Sequence, residues 1–173
     1  MIMKSIIALV VVASTTQAMA NSANCNAEHI KPSHQETALF DKKDGTVLDI
    51  VNNILWSKCT LGQSYLDGKC VGEPTKFNTW SEALQATESL PNNQRLPNII
   101  ELSSLVEHSC YDPVIDVLIF PNTPSGVYWT NTPDPKGINQ HVNIPARIVD
   151  FKDGGEFLLD VVDAIYVRTV IER

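Results

Sequence analysis

The run Arg95-Leu96-Pro97-Asn98-Ile99-Ile100-Glu101-Leu102-Ser103-Ser104-Leu105 constrains the fold more than any other part of the chain. Pro97 pushes Leu96 out of helical backbone space, so no helix can enter this run from upstream. Asn98, with Glu101 three residues on, forms a capping box: the Asn98 side chain accepts from the Glu101 amide, and the Glu101 carboxylate answers the Asn98 amide. Ile99, Leu102 and Val106 then make one buried stripe, which predicts a short helix ending near His108. The same device occurs earlier at Thr79-Trp80-Ser81-Glu82. There Trp80, Ala83, Leu84, Thr87 and Leu90 fall on one face, and Pro91 ends the run.

These two helices sit between extended segments. Phe40 to Ser57 reads as a β-hairpin or meander, with turns at Asp44-Gly45 and Asn52-Asn53. Residues 58–78 read as a loop. After the helices, short apolar runs recur at 117–120, 127–129, 147–151, 156–159 and 164–170, divided by Pro, Asn and Gly clusters. Helices placed between β segments without βαβ alternation predict an α+β fold, two short helices packed on antiparallel sheet.

The ends and the cysteines point to export. Lys4, the apolar run Ile6 to Ala13 and Ala18-Met19-Ala20 have the order of a signal peptide, with cleavage expected after Ala20. The apolar run is well below the ~20 residues a membrane span needs. The expected organisation is a signal peptide at 1–20, an irregular lead-in at 21–39 and one domain at 40–173. Lys4 is the only charge in the first twenty residues, so its removal takes the net charge from −7 to −8. A surface this acidic disfavours nucleic acid and anionic lipid. An even count of four cysteines in an exported chain reads as two disulfides, with three possible connectivities. The short segment between Cys59 and Cys70, with turn residues Gly62 and Asp67-Gly68, favours that pair and leaves Cys25–Cys110. A four-cysteine zinc site is the rival reading, but no Cys-x-x-Cys pair is present.

Several groups invite functional readings. Arg95 and Arg168 are anion-binding candidates or structural arginines serving loop carbonyls or a carboxylate such as Glu101 or Asp150. Trp56, Trp80 and Trp129, with Tyr128 and Tyr166, are a sugar-stacking surface or core. Asp41, Asp44 and Asp49 flank a turn but lack the spacing of a calcium loop. No metal or cofactor is expected. His29, His34, His108 and His141 show no ligand spacing, and no nucleophile–base–orienter pattern is present, so the chain reads as non-catalytic. Residues 131–146 are the longest stretch without apolar period. With Trp129 at its edge and Asn131, Asp134, Asn139 and Asn143 within it, this stretch is the expected ligand loop.

One ordered series carries a resemblance. It runs Asp-Gly-Thr-Val (44–47), Leu-Trp (55–56), Cys59, Cys70, Thr-Trp-Ser-Glu-Ala-Leu (79–84), Arg-Leu-Pro-Asn (95–98), Glu-Leu-Ser-Ser-Leu (101–105), Phe-Pro-Asn-Thr-Pro (120–124), Tyr-Trp-Thr (128–130), Val-Asp-Phe (149–151) and Tyr-Val-Arg (166–168). It resembles the Lcl C-terminal domain family, named for the terminal domain of a bacterial collagen-like adhesin. The resemblance implies a C-type-lectin-like, disulfide-stapled fold and export in a Gram-negative bacterium. That adhesin binds sulfated polysaccharide; this chain has no collagen-like repeat and is acidic. The expected function is a periplasmic or secreted binding or adhesion module for a polar ligand, a carbohydrate or a surface protein. The alternatives are an assembly partner of a cell-surface or secretion apparatus, and a hydrolase using Glu101, Asp150 and Asp163.

Overall fold

The structure, a computed structural model, describes residues 25, 26, 28–34, 38–133, 146–156 and 164–173. The expected signal peptide at 1–20, the acid Asp163 and most of the expected ligand loop, including Asp134, Asn139 and Asn143, lie outside the described residues.

The chain enters a five-stranded sheet through a meander of β1 (Leu39–Asp41), β2 (Thr46–Asp49) and β3 (Ile54–Ser57). Both turns are where the sequence places them. Gly45 takes φ +90° and Asn53 takes φ +54°, left-handed values suited to Gly and Asn. The carboxylates of Asp41 and Asp44 accept from the backbone amides of Lys43 and Thr46, so these acids stabilise the turn. In register, Val47 faces Trp56 and Asp49 faces Ile54. Val47, Asp49, Ile54 and Trp56 all point inward and are buried. Asp49 is tolerated there because it accepts from the Trp56 indole at 3.2 Å and from the Asn52 amide at 2.9 Å.

The next stretch corrects an expectation. Residues 58–78 contain a hairpin, β4 (Ser64–Leu66) and β5 (Lys69–Val71), whose second strand carries Cys70 of the Cys59–Cys70 bridge, followed by β6 (Lys76–Phe77). Each hairpin strand is only three residues long, too short for an alternating pattern to stand out. Asp67-Gly68, both at positive φ, turns between them.

Helix α1 (Trp80–Glu88) follows, then β7 (Gln94–Arg95), then α2 (Ile99–Ser103). Both capping boxes are present. Thr79 Oγ1 accepts from Glu82 N at 3.2 Å and Asn98 Oδ1 accepts from Glu101 N at 2.8 Å, each answered by the glutamate. Thr79→Ala is expected to cost about 1 kcal/mol, and Asn98→Ala up to about 2 kcal/mol because its glutamate also serves Arg95. Urea unfolding of the two variants measures this; unchanged midpoints in both would refute these helix starts. α2 stops at Ser103 rather than near His108. The Ser104 hydroxyl donates to Glu101 O at 2.7 Å, and the following amides make i to i−3 bonds, which tighten the chain out of the α-helix.

The expected strand at 117–120 is a turn. Asp116 Oδ1 accepts from Leu118 N, and Asp116 O accepts from Phe120 N at 2.8 Å. The remaining strands are β8 (Val127–Pro133), β9 (Ala146–Asp150), β10 (Ile165–Tyr166) and β11 (Val170–Glu172). β11 inserts between β3 and β7, giving the order β1-β2-β3-β11-β7, and the second sheet runs β6-β10-β8-β9. Among the described strands pairing is antiparallel except for β10 against β8, which is parallel through Tyr166 and Tyr128.

The two sheets and two helices enclose two apolar clusters. One holds Trp56, Leu102, Leu105, Phe120, Tyr128 and Phe151. The other holds Trp129, Leu96, Ala83, Ile148 and Val167. Tyr128 meets Phe151 edge to face at 5.1 Å. Both disulfides pair as the sequence favours, Cys59 with Cys70 and Cys25 with Cys110, and no described cysteine is free. Among the described residues no helix is long and apolar enough to cross a membrane.

Candidate functional site

The charged groups that sequence reading singles out are occupied in holding the fold. Arg95 grips Glu101 with two parallel bonds of 2.8 and 2.9 Å and reaches Glu172 through Nε at 2.9 Å. Burial alone would raise the Glu101 carboxyl; the Arg95 guanidinium and the Asn98 amide overcome it and hold it below its ordinary value. Arg168 is fully buried. It donates to the carbonyls of Ser57 and Lys58 and to Thr123 Oγ1, and its guanidinium lies 4.9 Å from the Phe120 ring centroid. Asp150 accepts from the Lys152 amide and so shapes the turn after β9. Both arginines are therefore structural.

The aromatic candidates are core. Trp129 is 2 % exposed, with its indole directed at the Phe77 carbonyl, and is closed to a ligand in this fold. Trp56 is buried, and the half-buried Trp80 donates to Thr130 O. Asn131, expected in the ligand loop, lies instead within β8, half-buried, its amide bonded to Pro97 O at 2.8 Å.

An open cleft of about 630 Å³ lies elsewhere, against the β2–β3 turn. Its apolar walls come from Leu39, Ile50, Val51 and Val106, with Ile50 and Val51 more than half exposed. Its polar edge comes from Asn52, Ser104 and His108. Asn52 Nδ2 donates to Ser104 Oγ at 3.2 Å, joining the turn to the end of α2. A second, smaller cavity of about 180 Å³ is floored by Leu105, Ile115, Ile119 and Phe120. His34 and Leu39 line both.

The segment 28–34 forms a strap whose last three residues, Pro32 to His34, line these cavities. Behind it, Cys25 is bridged to Cys110 and Asn26 N donates to Ser109 O. At its other end one carboxylate gathers the chain. Glu107, 5 % exposed, accepts from the amides of Ser33, His34 and Ser109 and from the Ser109 hydroxyl, and lies 3.3 Å from His34 Nδ1. His34 Nε2 meets the Ser104 carbonyl. Burial would raise the Glu107 carboxyl, but these donors reverse the sign and hold it down at about 2. Sequence reading gives Glu107 no role. Its donors lie more than seventy residues upstream and two residues downstream, and only the upstream set would have marked it.

A family model, the Lcl C-terminal domain, matches residues 45–171, well over half of the chain. The chain belongs to the Lcl C-terminal domain family. The match takes in both capping boxes, Arg95, Arg168 and the Cys59–Cys70 bridge. It leaves out β1, the strap and Cys25. The Lcl C-terminal domain thus ends on one side of the cleft, at the β2–β3 turn and α2, and a segment outside the match closes the other. No curated protein and no solved structure matches the chain.

Proposed function

We propose that this protein is an exported, non-catalytic binding module whose ligand enters the cleft against the β2–β3 turn. The observation that carries the reading is the pairing of a cleft of small-ligand size, with exposed aliphatic walls, and a set of charged groups already committed to the fold. Glu101 and Asp150, the acids a hydrolase would recruit, serve Arg95 and the β9 turn. Two disulfides fit an oxidising compartment, periplasmic or extracellular, and family membership supports a lectin-like scaffold. The polar edge of Asn52, Ser104 and His108 suits a hydroxyl- or amide-bearing partner, a carbohydrate or a peptide.

The test is a screen of the purified protein against glycan and peptide arrays, with calcium and with chelator, beside the variant Val51→Asp. Val51 is 77 % exposed, so the variant leaves the core intact. Binding by the parent that falls at least about tenfold in the variant supports the cleft, since 1.4 kcal/mol of lost contact is one decade. Binding unchanged by Val51→Asp moves the site away from the cleft, and release of hydrolysis products makes the protein an enzyme.

A further inference from the structure

The strap meets the body at two kinds of fastening, one covalent and one polar. The covalent fastening is Cys25–Cys110, which closes a loop of 85 residues in sequence. Cys25 is half-buried, whereas Cys59, Cys70 and Cys110 are each 4–5 % exposed. The Cys25–Cys110 bridge is therefore the more accessible of the two to a reductant. The polar fastening is the Glu107 carboxylate with the amides of Ser33 and His34, joined by the bond from His108 N to Ser33 Oγ at 3.0 Å. Residues 28–33 are otherwise exposed, so little apolar burial holds the strap down. His34 of the strap, with Leu39 of β1, lines both the larger cleft and the small cavity over Ile115 and Phe120.

We propose that residues 28–34 are a releasable clasp separating the two cavities, and that a dithiol reductant opens it by cutting Cys25–Cys110 before Cys59–Cys70. The chemistry is thiol–disulfide exchange. A reductant thiolate attacks Cys25 Sγ, the S–S bond breaks, and its electron pair leaves on Cys110 Sγ, which takes up a proton. The second reductant thiol then attacks the mixed disulfide and frees the Cys25 thiolate, which is protonated in turn. The reductant departs as its own disulfide, two electrons having passed to the protein. With the bridge gone, what the described residues show holding the strap on that side is backbone pairing, Cys25 against Cys110 and Asn26 N to Ser109 O at 2.7 Å. Its withdrawal takes His34 from the lining of both cavities and joins them into one groove reaching Phe120. The consequence for binding rests on the cleft being the recognition site; the test needs no ligand, so either idea can fail without the other.

The experiment titrates the folded, oxidised protein with dithiothreitol and maps alkylated cysteines by mass spectrometry. Amide exchange at Ser33 and His34, 1-anilinonaphthalene-8-sulfonate fluorescence and near-ultraviolet circular dichroism are read on the same samples. The expected result is alkylation of Cys25 and Cys110 while Cys59–Cys70 stays intact. Exchange at Ser33 and His34 should then rise by about tenfold or more, and dye fluorescence should rise with it. The near-ultraviolet signal of the buried tryptophans should not change. Cys59 and Cys70 reacting first, unchanged exchange or unchanged dye fluorescence would each overturn the clasp. Loss of the near-ultraviolet signal would also overturn it, by making the strap part of the fold. The double variant Cys25→Ser, Cys110→Ser supplies the open form without reductant. In it Ser33 and His34 should exchange as in the half-reduced protein, and parent-like protection would refute the role of the bridge.

Discussion

Arg168→Ala is expected to lower the unfolding free energy by about 4 kcal/mol, a large fraction of the roughly 5–15 kcal/mol that holds a domain folded. The guanidinium is fully buried, and among the described residues its partners are neutral oxygens, two carbonyls and a hydroxyl. It ties the Ser57 and Lys58 carbonyls, at the exit of β3, to Thr123 Oγ1 in the loop before β8. Alanine would leave those three oxygens without this donor, at about 1–3 kcal/mol for each one left unsatisfied. It would also open a cavity against Phe120. Burial pulls the Arg168 guanidinium below its ordinary value, but an arginine keeps its charge across the accessible pH range. Arg168→Lys should recover only part of the loss, since an ammonium has no planar fork to span two carbonyls and a hydroxyl. Urea unfolding followed by near-ultraviolet circular dichroism measures both variants. A loss below 1 kcal/mol for Arg168→Ala would show that the three oxygens find other donors.

Acidification from pH 5 to pH 2 should remove about 3 kcal/mol of stability through Glu107. Its folded carboxyl sits at about 2, against an ordinary 4.5. A depressed carboxyl contributes its full stabilisation above the unfolded value and loses it as pH falls through the folded one. The window therefore runs from about pH 5 down to pH 2. Asp41, also held near 2 against burial by Lys43 and Lys58, titrates in the same window and adds to the loss in the parent protein. Glu107→Gln separates the two. The variant should be less stable than the parent at pH 7, and the gap should close as pH approaches 2. A gap that stays constant from pH 7 to pH 2 would mean that the Glu107 charge does not hold the strap.

How much was legible depended on the distance between cause and effect. The Asp44-Gly45 and Asn52-Asn53 turns and the capping boxes at Thr79 and Asn98 arise among residues a few positions apart, and the Cys59–Cys70 staple spans 11. A reader of the chain sees both partners at once. Cys25–Cys110 was legible only by elimination, because four cysteines leave one pair after the local one is chosen. α2 is shorter than its hydrophobic spacing predicts because the Ser104 hydroxyl competes for a helix carbonyl, a contest that spacing does not register. The run 117–120 has a strand's composition, but the Asp116 side chain turns it.

The candidate site was less legible than the fold. The cleft is built from the β2–β3 turn, the end of α2 and the strap, three segments that sequence order separates widely. Polar composition drew attention instead to 131–146, where Asp134, Asn139 and Asn143 lie outside the described residues, and to Trp129, which the core claims. Nothing local marks Glu107, an acid among serines and a histidine. Local chemistry thus determined the turns, caps and staple of this Lcl C-terminal domain. Tertiary structure alone decided that β11 enters between β3 and β7, that Arg168 is sealed among carbonyls, and that one carboxylate fastens the strap beside a cleft. The physical reason is that burial and hydrogen-bond satisfaction are properties of neighbours in space, and a chain names only its neighbours in sequence.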